Sequence, residues 1–407
     1  MKVRTTLIII AAICGLLLPS SCVKEDRTKA QYVLIYLAGN NSLAYYADDN
    51  MEQLARGFLP PEGDINQAVF VYLHRYDNAP ELRRYSMTKD GEMRVSVIAR
   101  YDEDTNSADP ATLNRVANEV QMLWPAERRG LILWSHATGY LPEGYFNDPK
   151  ELAGRAIMDI EDPYRHLVKA AEDSLTRTFG NDYNGTKEME ISEVASALPF
   201  SYDYIIFDAC LMGGIEVAYE MKDKCDYIVF SPTEILAQGF PYYMMMDALF
   251  NRTEIKDGLI ATAEEYFRYY YEKSQIERNK GCTVSVVQTD QLEALAKVSA
   301  RIFDRHREEI FALNGNYIQQ YFRLNRHWFY DLRDIVSKVA DGDEYASFCT
   351  ALDRAVIYRA ATERFLSIII DPLKYSGLSS YLPNPEYSYL NDYYKTLAWN
   401  KATGLVK

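Results

Sequence analysis

A chain of 407 residues can form one large or two modest domains with a sizeable buried core, and its ordinary apolar and charged content argues against wholesale disorder. A formal net charge of -14 argues against nucleic acid as a main partner, because phosphate binding needs a basic footprint. The 33 tyrosines suit core and half-buried interface positions, a carbohydrate platform being the remoter reading.

Lys2 and Arg4 precede an apolar run over 7–18 that is shorter than the roughly 20 residues needed to span a bilayer, so residues 1–21 read as a signal peptide. Ser20 and Ser21 before Cys22 resemble a lipobox, after which Cys22 would be lipidated; Pro19 departs from that pattern, and ordinary signal cleavage is the alternative. Residues 22–31 then form a polar tether whose Glu25 and Asp26 suit export to an outer surface. The expected location is the cell envelope, anchored to the membrane through lipid, or outside the cell if Cys22 is not lipidated.

The apolar run 32–39 predicts a buried strand ending in Gly39, with Asn40, Asn41 and Ser42 as turn and cap, and 43–57 a helix. A second strand follows at 68–75. Residues 81–87 and 92–99 flank a Gly-containing turn, the pattern of a hairpin. An amphipathic helix over 110–124 leads to strand and loop over 130–139. Residues 141–190 are loop-like around a helix near 163–178. A helix over 187–199 precedes a short, continuously apolar strand at Tyr204–Phe207, and another strand and a long loop occupy 225–243. Strands alternating with helices indicate βαβ units and a mainly parallel sheet covered on both faces. From about 250 helices dominate (254–274, 290–311, 329–340, 343–360), with strands at 282–289, 365–371 and 377–383. The expected organisation is a domain over 32–250 followed by a helix-rich region over 251–407, whose late strands rejoin or flank the sheet.

Cys14 and Cys22 belong to the leader. Cys210, Cys225, Cys282 and Cys349 are scattered and contain no CxxC pair, and His74, His136, His166, His306 and His327 lack metal-ligand spacing, so no metal site is expected. In open α/β sheets ligands collect at the carboxyl ends of the strands. Two such ends carry reactive groups: His136 after the apolar residues 131–134, and Cys210 after Tyr204–Phe207. A thiolate at a helix N-terminus is stabilised by unpaired N–H groups, a nearby imidazole can exchange protons with it, and the turn offers donors to a tetrahedral oxyanion. The alternative is a buried, inert cysteine and a polar histidine in the core. Asp208 precedes Cys210 by two residues, roughly 7 Å along a strand and on the same side. A carboxylate there disfavours the thiolate, which makes sense if it neutralises an arginine or lysine side chain of a substrate; capping of the following turn is the structural alternative.

The stretches LILWSHATGYLP (131–142), IIFDACLMGGIEVAYE (205–220) and SPTEILAQGFPYY (231–243) resemble the clostripain family of cysteine peptidases, as do YLAGNNSLAYYADDNMEQL (36–54) and GLSSYLP (377–383). The resemblance runs from about residue 32 to past 380. It implies a caspase-like α/β/α sandwich, an endopeptidase acting on protein or peptide substrates, His136 and Cys210 as a dyad, and an oxyanion held by backbone N–H groups of Ala137 and Cys210. Asp208 matches the acidic residue at the base of a pocket for arginine or lysine. Self-cleavage after a basic residue between the dyad members is also implied, with Lys150 the best candidate and Arg155 and Arg177 its rivals. The residues themselves call for no cofactor, and the resemblance leaves calcium open.

Two positions depart from the family pattern. Ala137 replaces the usual glycine after the histidine, which matters if that residue needs a positive φ. Gln238 stands where relatives carry an acid, leaving Asp208 alone in the pocket unless Glu234 assists. A catalytically weakened surface binding protein is therefore the rival reading to a working peptidase, and a glycan-binding lipoprotein a distant third.

Overall fold

The computed structural model describes residues 30–76, 78–143, 145, 179–180, 182–185, 188–323, 326 and 328–407. The leader and the tether up to residue 29, with Cys22, the helix expected near 163–178, and Lys150, Arg155 and Arg177 lie outside the described residues, whereas Gln31, expected at the end of the tether, is the first residue of the sheet. The chain opens with β1 (Gln31–Gly39), α1 (Ala44–Arg56) and β2 (Gln67–Arg75), then the hairpin β3 (Glu81–Met87) and β4 (Met93–Arg100). Next come α2 (Pro110–Leu123), β5 (Arg128–Trp134), α3 (Ile191–Ala197), β6 (Tyr202–Asp208), α4 (Ile215–Met221) and β7 (Cys225–Phe230). Helices α5 (Tyr242–Asn251) and α6 (Ile255–Ile276) lead to β8 (Thr283–Gln288) and α7 (Leu292–Phe311). The last part holds β9 (Tyr330–Asp331), α8 (Leu332–Ser337), α9 (Gly342–Ala355), β10 (Val356–Ala361), the two-residue arms β11 (Arg364–Phe365) and β12 (Ile368–Ile369), β13 (Ser379–Ser380), α10 (Ser388–Tyr394) and α11 (Ala398–Thr403).

Nine strands form one sheet in the order β10-β8-β7-β6-β5-β1-β2-β3-β4. The five central strands, β2, β1, β5, β6 and β7, are mutually parallel, and antiparallel strands extend the sheet at both ends. Continuous apolar runs in β1 and β6 are buried along almost their whole length because helices cover both faces. One group of helices joins α1, α5 and α6; another joins α2, α3, α4, α7, α9 and α11. The chain runs outward from β1 to β2 and returns to β5 on the other side of β1, so right-handed crossovers on the two sides place their helices on opposite faces. That reversal opens a crevice at the carboxyl ends of β1 and β5, the usual ligand position in such sheets.

Local chemistry sets several helix starts. Asp109 accepts from Ala111 N–H ahead of Pro110, which fits the first turn of α2. Glu190 and Glu193 form a capping box that starts α3 at Ile191, so the helix expected over 187–199 is shorter at both ends. The helix expected over 343–360 ends at Ala355, because Val356–Ala361 pair antiparallel with β8 and tertiary pairing prevails over local propensity. Residues 365–371, expected as one strand, instead span a tight hairpin from the end of β11 through a turn with Leu366 left-handed to β12, and the helix expected over 329–340 begins only at Leu332, after β9.

Candidate active site

Trp134 pairs with Asp208 at the last register position of β5 and β6, so His136 and Cys210 each lie two residues beyond the same pair, on adjacent parallel strands. Both side chains are buried. The β1 end completes this edge: Ser42 Oγ lies 3.0 Å from His136 Nε2, and Ser135 Oγ donates to Ala38 O at 2.7 Å. Ser42 is exposed, so the histidine's hydroxyl partner is on the solvent side.

The turn after Cys210 differs from the sequence expectation in one respect. Helix α4 does not begin at the thiol but at Ile215, capped by Gly214, and it is seven residues long. Leu211 is left-handed (φ 62°), and the chain then runs against the loop after β7, with Leu211 N–H donating to Thr233 O at 3.0 Å and Gly213 N–H to Ser231 O at 2.8 Å. Gly213 is needed for that approach, since a Cβ there would lie 2.3 Å from Pro232 N. The helix therefore starts five residues beyond Cys210, and a peptide group of the loop after β7 lies against the sulfur. Ile235 N–H donates to Cys210 Sγ at 3.3 Å, while Ile235 O lies 3.6 Å from the same sulfur as acceptor. One residue thus serves both protonation states, its N–H favouring the thiolate and its carbonyl accepting the S–H proton. Burial pushes the thiols of Cys225 and Cys282 well above their ordinary range.

The loop that touches Cys210 also holds Asp208. Phe240 N–H and Tyr242 O–H donate to Asp208 Oδ2 at 3.2 and 3.1 Å, and the carboxylate is fully buried. Burial, then the neighbouring Asp208, raises the Tyr242 phenol well above its usual range, which keeps it a donor. Asn50 ties α1 to this edge, accepting from Trp134 Nε1 and donating to Gln238 O, both at 2.8 Å. Gln238 is half-buried. Glu234 is buried in an ion pair with Arg323, so its carboxylate already serves a cation of this chain. Ala137 is buried and has no positive φ; outside glycine, Tyr76, Leu211 and Leu366 are the described residues that do.

Sequence reasoning missed Ser42, Ile235, Tyr242 and Arg323. Ser42 follows a strand whose carboxyl end lies on the same edge, which was a usable signal; the contacts of Ile235 are made by its backbone and leave no mark in the sequence. Among the described residues no three His, Cys, Asp or Glu side chains gather to hold a metal ion. No described helix is long and apolar enough to cross a membrane.

Fold and site together place the protein among the cysteine peptidases built on an open α/β sheet. The chain belongs to the clostripain family, which it matches over residues 35–154 and 166–404. It is similar to the structure of an inactive zymogen C11 protease from Parabacteroides distasonis, with 33% identity, a TM-score of 0.74, and coverage of 92% of this chain and 99% of that one. It also resembles a secreted C11 cysteine protease from Bacteroides thetaiotaomicron in complex with an irreversible peptide inhibitor, with 25% identity, a TM-score of 0.74, and coverage of 92% and 98%. Comparison with curated proteins returned no match.

Proposed function

We propose that this cysteine peptidase is an exported endopeptidase that cleaves after arginine or lysine, with Cys210 as nucleophile and His136 as its proton-transfer partner. The observation that supports the assignment is their shared register: both lie two residues past the Trp134–Asp208 pair, at the edge where an open sheet binds ligands. In this reading His136, whose Nε2 lies within hydrogen-bond reach of Ser42 Oγ, takes the proton from the Cys210 thiol. The thiolate attacks the scissile carbonyl carbon, and the N–H groups of Ala137 and Cys210 receive the oxyanion. The C–N bond breaks as the imidazolium gives its proton to the leaving amine. Water, deprotonated by His136, then hydrolyses the thioester, releasing the carboxylate product and restoring the thiol.

Asp208 supplies the negative charge for a basic side chain, and the ion pair of Glu234 with Arg323 leaves that task to Asp208. Activation by cleavage after a basic residue between the dyad members, Lys150 first among the candidates, is consistent with a relative described as an inactive zymogen. Export is supported by the N-terminal sequence and by a relative described as secreted, and lipidation at Cys22 would add a membrane anchor. The ordinary backbone of Ala137 removes one of the two grounds for the rival reading, a weakened binding protein. The test is turnover of a peptide panel by wild type and Cys210→Ala. The proposal expects cleavage after arginine and lysine that disappears in the variant; retained turnover, or cleavage after acidic residues, overturns it.

A further inference from the structure

Behind the site lies a second buried cluster that the mechanism does not use. His74, near the end of β2, and Asp182 are both buried, with His74 Nδ1 2.9 Å from Asp182 Oδ2. Ser107 bridges the pair: its Oγ is 2.6 Å from His74 Nδ1, and its N–H donates to Asp182 Oδ2 at 2.7 Å. The other carboxylate oxygen accepts from Asn40 Nδ2 and from Asn184 N–H, each at 2.9 Å. Tyr36 and Tyr72 in turn hold Ser107, through its carbonyl at 2.8 Å and its hydroxyl at 2.9 Å. Burial opposes charge on Asp182, yet these donors keep its carboxyl below the usual range. Such a cluster is not explained as stability alone, because a buried network of polar groups is often no better than well-packed apolar side chains.

Its location supplies the explanation. Two residues before Asp182, Gly180 N–H donates to His136 O at 3.0 Å, and Phe179 lies opposite Ala137 in an antiparallel bridge. Gly180 is left-handed (φ 84°), and a Cβ there would meet the Cβ of Ala108 at 2.8 Å, so the strand is seated closely on the Ser107 loop. The peptide joining His136 to Ala137 is planar and trans, so its C=O and N–H point in opposite directions. Fixing the His136 carbonyl on Gly180 therefore aims the Ala137 N–H away from this strand.

We infer that Asp182, held by His74, is a positioning residue that orients the Ala137 N–H for the oxyanion through the Gly180–His136 hydrogen bond. The inference rests on the peptidase reading and on Ala137 as an oxyanion donor. Loss of one such donor lowers turnover roughly 100-fold or more, so a misaimed donor should lose a good part of that. Asparagine at 182 would present an N–H₂ to groups that are themselves donors, disturbing the aim while keeping the volume.

The test compares Asp182→Asn and His74→Gln with wild type in two assays: peptide hydrolysis, and alkylation of Cys210 by iodoacetamide followed by mass spectrometry. Alkylation is a displacement by the thiolate and forms no oxyanion. The expected result for Asp182→Asn is a kcat lowered about 10- to 100-fold, with KM and the alkylation rate each within about twofold of wild type. His74→Gln should show a smaller drop of the same pattern, and it carries the test if circular dichroism finds Asp182→Asn unfolded. A kcat unchanged in the folded variants, or alkylation falling in step with kcat, overturns the positioning role while leaving the peptidase reading intact. A wild type that alkylates but never hydrolyses peptide overturns the peptidase reading and this inference with it.

Discussion

Replacing Ala137 by glycine separates a working oxyanion hole from a damaged one. Ala137 is 3% exposed, and its φ lies outside the left-handed region. Nothing in its backbone therefore requires glycine. Substitution should destabilise the fold by about 0.5–1 kcal/mol through added chain freedom in the unfolded state, and by about 0.8 kcal/mol more for one lost buried methyl. The sum, about 1.3–1.8 kcal/mol, is read from thermal or denaturant unfolding. Turnover should move by less than about threefold, because the N–H that meets the oxyanion is common to both residues. Alanine that had displaced this donor would cost roughly 100-fold in rate, and glycine would restore it. The assay is kcat on a peptide with lysine or arginine before the scissile bond, measured for both proteins at one pH. A gain of tenfold or more in the glycine variant refutes the reasoning, as does a glycine variant more stable than the wild type.

Three further outcomes are expected. Asp208→Asn keeps an oxygen for Phe240 N–H and Tyr242 O–H but removes the charge, so kcat/KM for basic substrates should fall by about 2–3 kcal/mol, roughly 30- to 150-fold; an unchanged preference for basic over neutral residues would exclude Asp208 from the pocket. His136→Ala should lower kcat by several orders of magnitude, whereas the same change at His306, on the far region of the chain, should leave kcat within about twofold; comparable losses would contradict the pairing. Glu216 is fully buried, and burial raises its carboxyl pKa against the opposing hydrogen bonds of Tyr394, Tyr381 N–H and Ser380. A carboxyl with a raised folded pKa contributes stability that is complete below its unfolded value of about 4.3 and is lost as pH rises through the folded one. The stability of Glu216→Gln relative to wild type should therefore improve between pH 4.5 and 8, and a difference that is flat with pH contradicts the shift.

Much of the central sheet was legible because β1, β2, β5, β6 and β7 are continuous apolar runs bounded by turn residues, a pattern that buried parallel strands impose locally. The carboxyl ends of β5 and β6 carry His136 and Cys210, so their proximity follows once those strands are neighbours. The C-terminal region was less legible. Val356–Ala361 continues a helical pattern and becomes a strand only because β8 offers an edge, and the two-residue strands are too short to have a period. The glycines after Cys210 suggested a helix start at the thiol, but the left-handed Leu211 first carries the chain along the 231–233 loop. Contacts such as Asp182 with His74, or Glu234 with Arg323, join residues 108 and 89 positions apart and carry no local signature.

The central claim, a single reactive thiol beside a pocket for a basic side chain, is tested most directly by labelling the intact protein with two peptidyl chloromethyl ketones that differ only in ending with lysine or glutamate. Intact mass and tandem mass spectrometry then locate the adduct. The account predicts one adduct per chain on Cys210 from the lysine reagent, suppressed by an excess of arginine-containing peptide, and little or none from the glutamate reagent. An adduct on Cys225, Cys282 or Cys349, or equal labelling by both reagents, would contradict it.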